Sequence, residues 1–77
     1  MPRLTPVPWK TLECVFLNDG FAFERQVGSH RSYTKEGVAR PVVIPAHGEV
    51  TVGVIMSNLR TACMPREKYF RLLAECK

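Results

Sequence analysis

The 77-residue chain has little of what most specialised classes require. No apolar run approaches the roughly 20 residues of a membrane-spanning helix, and the first eight residues lack the apolar stretch of a secretory leader. A cytosolic protein is the default expectation. Cys14, Cys63 and Cys76 are odd in number and show no C-x-x-C spacing. That pattern argues against a disulfide framework and against a zinc site, and reads as reduced, buried thiols acting as small hydrophobes. No paired carboxylates, nucleotide-binding glycine loop or nucleophile–base–orienter triad is present. Repeats and low-complexity tracts are missing too, so the expectation is one domain, 1–77, with residues 1–7 as an extended N-terminal segment.

What the chain does have is an uneven excess of positive charge. Eleven Lys and Arg against seven Asp and Glu give +4. Residues 25–40 carry Arg25, Arg31, Lys35 and Arg40 against Glu36 alone, and residues 60–77 carry five basic residues against Glu67 and Glu75. Each stretch is therefore +3, and the remainder is slightly acidic. Such patches attract phosphate, although a solvated basic surface has the same composition.

Pro2, Pro6 and Pro8 delay the first helix until Pro8 or Trp9. Trp9, Leu12, Val15 and Phe16 then share one face, Leu17 is left outside as a possible partner surface, and Asn18-Asp19-Gly20 ends the helix. Strand patterning follows over Phe21–Val27, His30–Lys35 and Arg40–Ile44, with turns at Gly28-Ser29 and Glu36-Gly37 and Pro45 ending the last strand. Two short connections in succession imply an antiparallel meander. After a Pro45–Gly48 loop, helical spacing resumes at Val52, Ile55, Met56, Leu59 and Cys63, with Thr51 as N-cap. Pro65 opens a last helix whose face is Tyr69, Leu72, Leu73 and Cys76. The order α-β-β-β-α-α predicts an α+β two-layer sandwich, with helices covering one face of a three-stranded antiparallel sheet.

The richest segment is Arg25-Gln26-Val27-Gly28-Ser29-His30-Arg31-Ser32-Tyr33. Imidazole is the side chain best suited to proton transfer near neutral pH, and guanidinium groups around it collect phosphate. His30 is the candidate general acid or base. Arg25, Arg31 and Lys35, with the Gly28-Ser29 turn, are the candidate RNA contacts. Strand alternation sets Arg31 on the face opposite His30, which suits flanking backbone better than the scissile group. Tyr33 could stack on a base, though a strand tyrosine is more often core or rim. His47 reads as a loop histidine hydrogen-bonded to the Pro45–Gly48 turn. His30 and His47 lack supporting thiols or carboxylates at metal-ligand spacing, so no metal and no cofactor is expected.

Several pieces in order resemble the HicA family of toxin–antitoxin RNA-cleaving toxins, from about Pro8 to Leu73. Gly20-Phe21 matches the pair closing the family's leading helix. Arg25-Gln26-Val27-Gly28-Ser29-His30, followed by Tyr33, matches an R-Q-x-G-S-H segment with a trailing aromatic. Ile44-Pro45-Ala46-His47-Gly48 corresponds to a V-P-x-H-G loop, and Glu67–Leu73 to an E-E-F-L-x-L-L-like stretch. The resemblance implies a fold like the double-stranded-RNA-binding domain, a metal-independent mRNA-cleaving activity, an antitoxin of the HicB type, and His30 as the essential residue. Gly53-Val54-Ile55-Met56 departs from the family's G-T-L-R, so a hydroxyl and a cation are missing. Pro65 replaces a serine cap, and Ser32 stands where an aliphatic residue is common.

The leading expectation is an endoribonuclease toxin. The other readings are a non-catalytic RNA-binding module of the same fold, and a toxin relic that has lost activity.

Overall fold

The computed structural model describes residues 3–76. Met1, Pro2 and Lys77, which belong to the expected N-terminal segment and the second basic stretch, lie outside the described residues. The elements are β1 (Val7–Pro8), α1 (Trp9–Asn18), β2 (Ala22–Val27), β3 (His30–Thr34), β4 (Val42–Pro45), β5 (Glu49–Val50), α2 (Val52–Thr61) and α3 (Arg66–Glu75). The expected α+β architecture is present: β2, β3 and β4 form an antiparallel sheet in that order.

Three of the helix ends have a clear chemical cause. Gly20 adopts φ +103°, Phe21 N–H donates to the Phe16 carbonyl at 3.0 Å, and Gly20 N–H donates to Leu17 at 3.1 Å. These are the two bonds of a Schellman cap, completed by an edge-to-face contact of Phe16 and Phe21 at 5.4 Å. The same bond pattern ends α2, where Met64 N–H reaches Leu59 and Cys63 N–H reaches Arg60. There the left-handed position is held by Cys63 at φ +53°, a conformation that favours glycine. Thr51 caps the start of α2, its hydroxyl accepting from Val54 N–H at 3.4 Å.

The core is formed by Leu12, Val15 and Phe16 of α1, Tyr33, Val42 and Ile44 of the sheet, Ile55 and Leu59 of α2, and Tyr69, Leu72 and Leu73 of α3. Leu17 stays outside, as its helix position predicts. In the sheet, Tyr33, Val42 and Ile44 point to the helices. Direct pairing of Val27 with His30, Arg25 with Ser32, and Ser32 with Val43 sets those side chains on the opposite, open face.

Four expectations need correction. The third strand begins at Val42, not Arg40, and includes Pro45; the segment 35–41 before it is a longer connection than a tight turn. Pro45 fits because its ring nitrogen needs no ladder partner at the strand's last position. Glu49–Val50 returns beside Val7–Pro8 as a second, two-stranded ribbon, burying Val7 and Val50. Two residues are too few for alternation to show in the sequence. α2 ends at Thr61, so Cys63 lies past it and is exposed; within α2, Met56 is exposed and Asn58 is buried. Asn58 replaces a neighbouring strand: its Oδ1 accepts from Val43 N–H at 3.3 Å and its Nδ2 donates to the Val43 carbonyl at 2.9 Å.

The fourth correction concerns the cysteines. Cys14 and Cys76 are joined in a disulfide, with Cα atoms 5.9 Å apart, and Cys63 is exposed. Spacing in sequence could not show this, because α1 and α3 meet only after folding. The link fastens α3 to α1, assisted by Asp19, whose carboxylate contacts Lys68 of α3 at 2.5 Å and Lys35 at 3.4 Å.

Two outcomes follow for stability. The disulfide closes a 62-residue separation, which chain entropy values at about 4 kcal/mol. Dithiothreitol should lower the melting temperature by on the order of 10 °C or more, and Cys14→Ser should do the same and abolish the dithiothreitol effect. Equal melting temperatures with and without reductant would show that the bond is not formed in solution. Asn58→Ala should cost about 2–4 kcal/mol in denaturant unfolding, since it strands both Val43 backbone groups; a loss below about 1 kcal/mol would mean that water replaces the carboxamide.

Candidate nucleic-acid interface

The histidine-bearing turn is built from Gly28, at φ +60°, and Ser29. Positive φ at the first of two central residues is the arrangement whose twist suits adjoining antiparallel strands. It pairs Val27 with His30 at the end of the sheet. The Ser29 carbonyl accepts from Ala46 N–H at 2.5 Å, docking the Pro45–Gly48 loop against the turn. His30, first in β3, is exposed and lies opposite Pro45 on the neighbouring strand.

Arg25 joins His30 on the open face. It is exposed, and no ion pair to it occurs among the described residues. Val27, Ser32 and Val43 complete this face. The structure therefore brings Arg25, Gly28, Ser29 and His30 together. The other two expected cations are already engaged. Lys35 pairs with Asp19 at 3.4 Å and lies 5.7 Å from the Phe21 ring centre.

Arg31 points to the helix side, as alternation predicts, and every nitrogen of its guanidinium is committed. Its Nε donates to the Tyr33 hydroxyl at 2.9 Å, Nη1 to Gln26 Oε1 at 2.8 Å, and Nη2 to Glu13 Oε2 at 3.2 Å. The Tyr33 hydroxyl donates in turn to Glu13 Oε2 at 2.5 Å. The guanidinium carbon lies 4.2 Å from the Phe23 ring centre, 5.6 Å from Trp9 and 5.9 Å from Tyr33. The arginine is thus a structural bridge between α1, β2 and β3. Its hydrogen bond to Tyr33 is the first cause holding its proton more tightly than usual, Glu13 adding to it.

Tyr33 is fully buried, so its ring is core and not a base-stacking surface. The exposed ring on its flank is Phe23, 46% accessible, meeting Tyr33 edge-to-face at 5.9 Å. Sequence reasoning passed over Phe23: alternation with buried Phe21 gives no sign of an exposed ring, and the register shift between Phe23 and Arg25 that sets those two on opposite faces cannot be read from the residues. His47 is exposed, and no side-chain hydrogen bond to it occurs among the described residues. The expected bond to its own turn is therefore absent, and backbone bonds of Ala46 and Gly48 hold the loop instead. No group of three or more potential metal-ligating side chains occurs among the described residues. Among them, too, no helix is long and apolar enough to cross a membrane.

The fold and this face define a class: a small basic α+β domain that presents an imidazole beside a guanidinium on an open sheet. A family model described as the HicA toxin of bacterial toxin–antitoxin systems matches residues 9–63, and the chain belongs to that family. Comparison with curated proteins finds no match. The matched span covers α1 to the end of α2, so α3 and Cys76 lie beyond it, while Cys14, the other half of the disulfide, lies within it. Membership makes the protein a toxin of a toxin–antitoxin system and implies an antitoxin as its partner.

Burial, and then the hydrogen bond to Glu13, push the Tyr33 hydroxyl up to about 12; burial also raises Tyr69. A raised folded-state value favours the protonated phenol. This stabilisation is complete below about pH 10, the unfolded value, and disappears as pH rises towards about 12. A spectroscopic titration of the folded protein should therefore show little tyrosinate at pH 10, and Tyr33→Phe should move alkaline unfolding to higher pH. Half-ionised tyrosine in the folded protein at pH 10 would contradict the buried Glu13–Tyr33–Arg31 arrangement.

Proposed function

We propose that this HicA-family toxin is a metal-independent endoribonuclease that cleaves mRNA in the cytoplasm, with His30 as its general acid or base. The observation that supports the reading most directly is the exposed His30 imidazole at the end of the open sheet face, beside Arg25. An imidazole there can take the proton of a ribose 2′-hydroxyl as it attacks the adjacent phosphate, contributing about 10²–10⁴-fold. In this reading Arg25 and the backbone of Gly28 and Ser29 hold the phosphoryl oxygens. Arg31 and Lys35 act at one remove: Arg31 fixes β3 behind His30, and Lys35, paired with Asp19, ties the segment after β3 to the end of α1.

The antitoxin in this reading is an acidic, HicB-like protein that covers His30 and the open face, where Val27 and Val43 offer apolar contact. Complementary charge would speed the encounter, and burial of the imidazole would exclude RNA.

Production of the protein alone in a bacterial host should arrest growth, and His30→Ala should relieve the arrest without changing the melting temperature. Purified protein should cut a single-stranded RNA in excess EDTA and leave a 2′,3′-cyclic phosphate or the 3′-phosphate derived from it. Efficient cutting of the all-deoxy oligonucleotide would remove the 2′-hydroxyl mechanism. Undiminished cleavage by the alanine variant would remove His30 from the chemistry and favour another proton carrier.

A further inference from the structure

Resting on the proposed ribonuclease function, we propose that Phe23 is a stacking platform for an unpaired base of the RNA, with Arg31 as its rigid backing. Three observations converge on this ring. It belongs to β2, the sheet's outer strand, and it is 46% exposed. The Arg31 guanidinium lies 4.2 Å from its centre, close enough for a cation–aromatic contact that covers part of the ring. That guanidinium cannot swing away to a phosphate, because Tyr33, Gln26 and Glu13 occupy all three of its nitrogens.

An exposed aromatic ring with a fixed cation against it is pre-organised for stacking. A base can lie on the open surface of the ring without any side chain having to reorder, and every base offers a π-face. A second, partly buried aromatic adjoins the same patch. Trp9 lies 5.6 Å from the Arg31 guanidinium, and exposed Lys10 sits 5.8 Å from the Trp9 ring centre. Lys10 supplies a rim cation that no described ion pair neutralises.

The platform also lies in the right place for a chain cut at His30. Phe23 pairs with Tyr33, three residues along β3 from His30, a separation of about 10 Å along the strand. Phe23 and His30 are on opposite faces, but β2 is an edge. RNA crossing that edge passes from the Phe23 ring to Arg25 and then to the imidazole. Neither ring nor path is available to a base paired inside a duplex, so the site selects unpaired RNA.

The test uses full-length His30→Ala protein, which leaves the RNA intact, and a short single-stranded RNA of mixed sequence, with its annealed duplex as control. Binding can be followed through Trp9, the chain's one tryptophan. In this background Phe23→Ala and Phe23→Leu should each weaken single-strand binding by about 5- to 150-fold, the range expected for one stacked base. Phe23→Trp should retain it. The leucine variant keeps apolar bulk at the position, and its melting temperature separates loss of stacking from loss of fold. Single-strand binding that survives Phe23→Leu unchanged, or a preference for the duplex, overturns the platform and leaves the His30 chemistry standing. Absence of RNA binding by the His30→Ala parent removes the ribonuclease reading and the platform together.

Discussion

A phenol buried at the middle of a three-stranded sheet imposes the central constraint on this molecule. The Tyr33 ring has no solvent exposure, so its hydroxyl must find partners inside the protein. Glu13 accepts a hydrogen bond from it and Arg31 donates one to its oxygen. Because Glu13 is on α1 and Arg31 also binds Gln26 on β2, one hydroxyl ties the first helix to two strands. The open face then follows from strand geometry: holding Tyr33 and Arg31 towards the helices leaves Ser32 and His30 facing away.

The same constraint changes the meaning of the positive charge. Arg31 counts as a cation in any composition, yet its guanidinium is paired with Glu13 and enclosed by rings. Lys35 and Lys68 are likewise held by one nearly inaccessible carboxylate, that of Asp19. The strong local excess around residues 25–40 is therefore reduced in practice to Arg25 on the open face and Arg40 in the following loop. Partly buried pairs of this kind fix the geometry of the fold more than they supply binding energy to a ligand.

A domain of this size has a thin core and closes its sheet with polar devices. Asn58 satisfies the outer edge of β4 in the manner of a neighbouring strand. That leaves β2 as the free edge, next to the open face and to the histidine turn. The Cys14–Cys76 link adds a covalent tie at the other side, joining Cys14 inside the span that matches the HicA toxin family to Cys76 beyond it. In a cytoplasm kept reducing by thiols the pair would be opened. Apart from that bond, α3 is held by the Asp19–Lys68 contact and by the burial of Tyr69, Leu72 and Leu73.

The elements with a clear period or a strong stop signal could be read directly from the residues. Apolar spacing at Trp9, Leu12, Val15 and Phe16, ended by Asn18-Asp19-Gly20, located α1 closely, because helix periodicity and capping are local properties. The Gly28-Ser29 turn was legible for the same reason, and with it the position of His30 at a strand start. The family was legible because several short motifs occur in order. Tertiary structure alone decided the rest: which cysteines meet, which cations are already paired, that Asn58 is buried, and that Phe23 rather than Tyr33 keeps an exposed ring. Each of these depends on contacts between residues far apart in the chain. A sequence states which groups are able to pair, but only the packing of α1, α3 and the sheet determines which of them do.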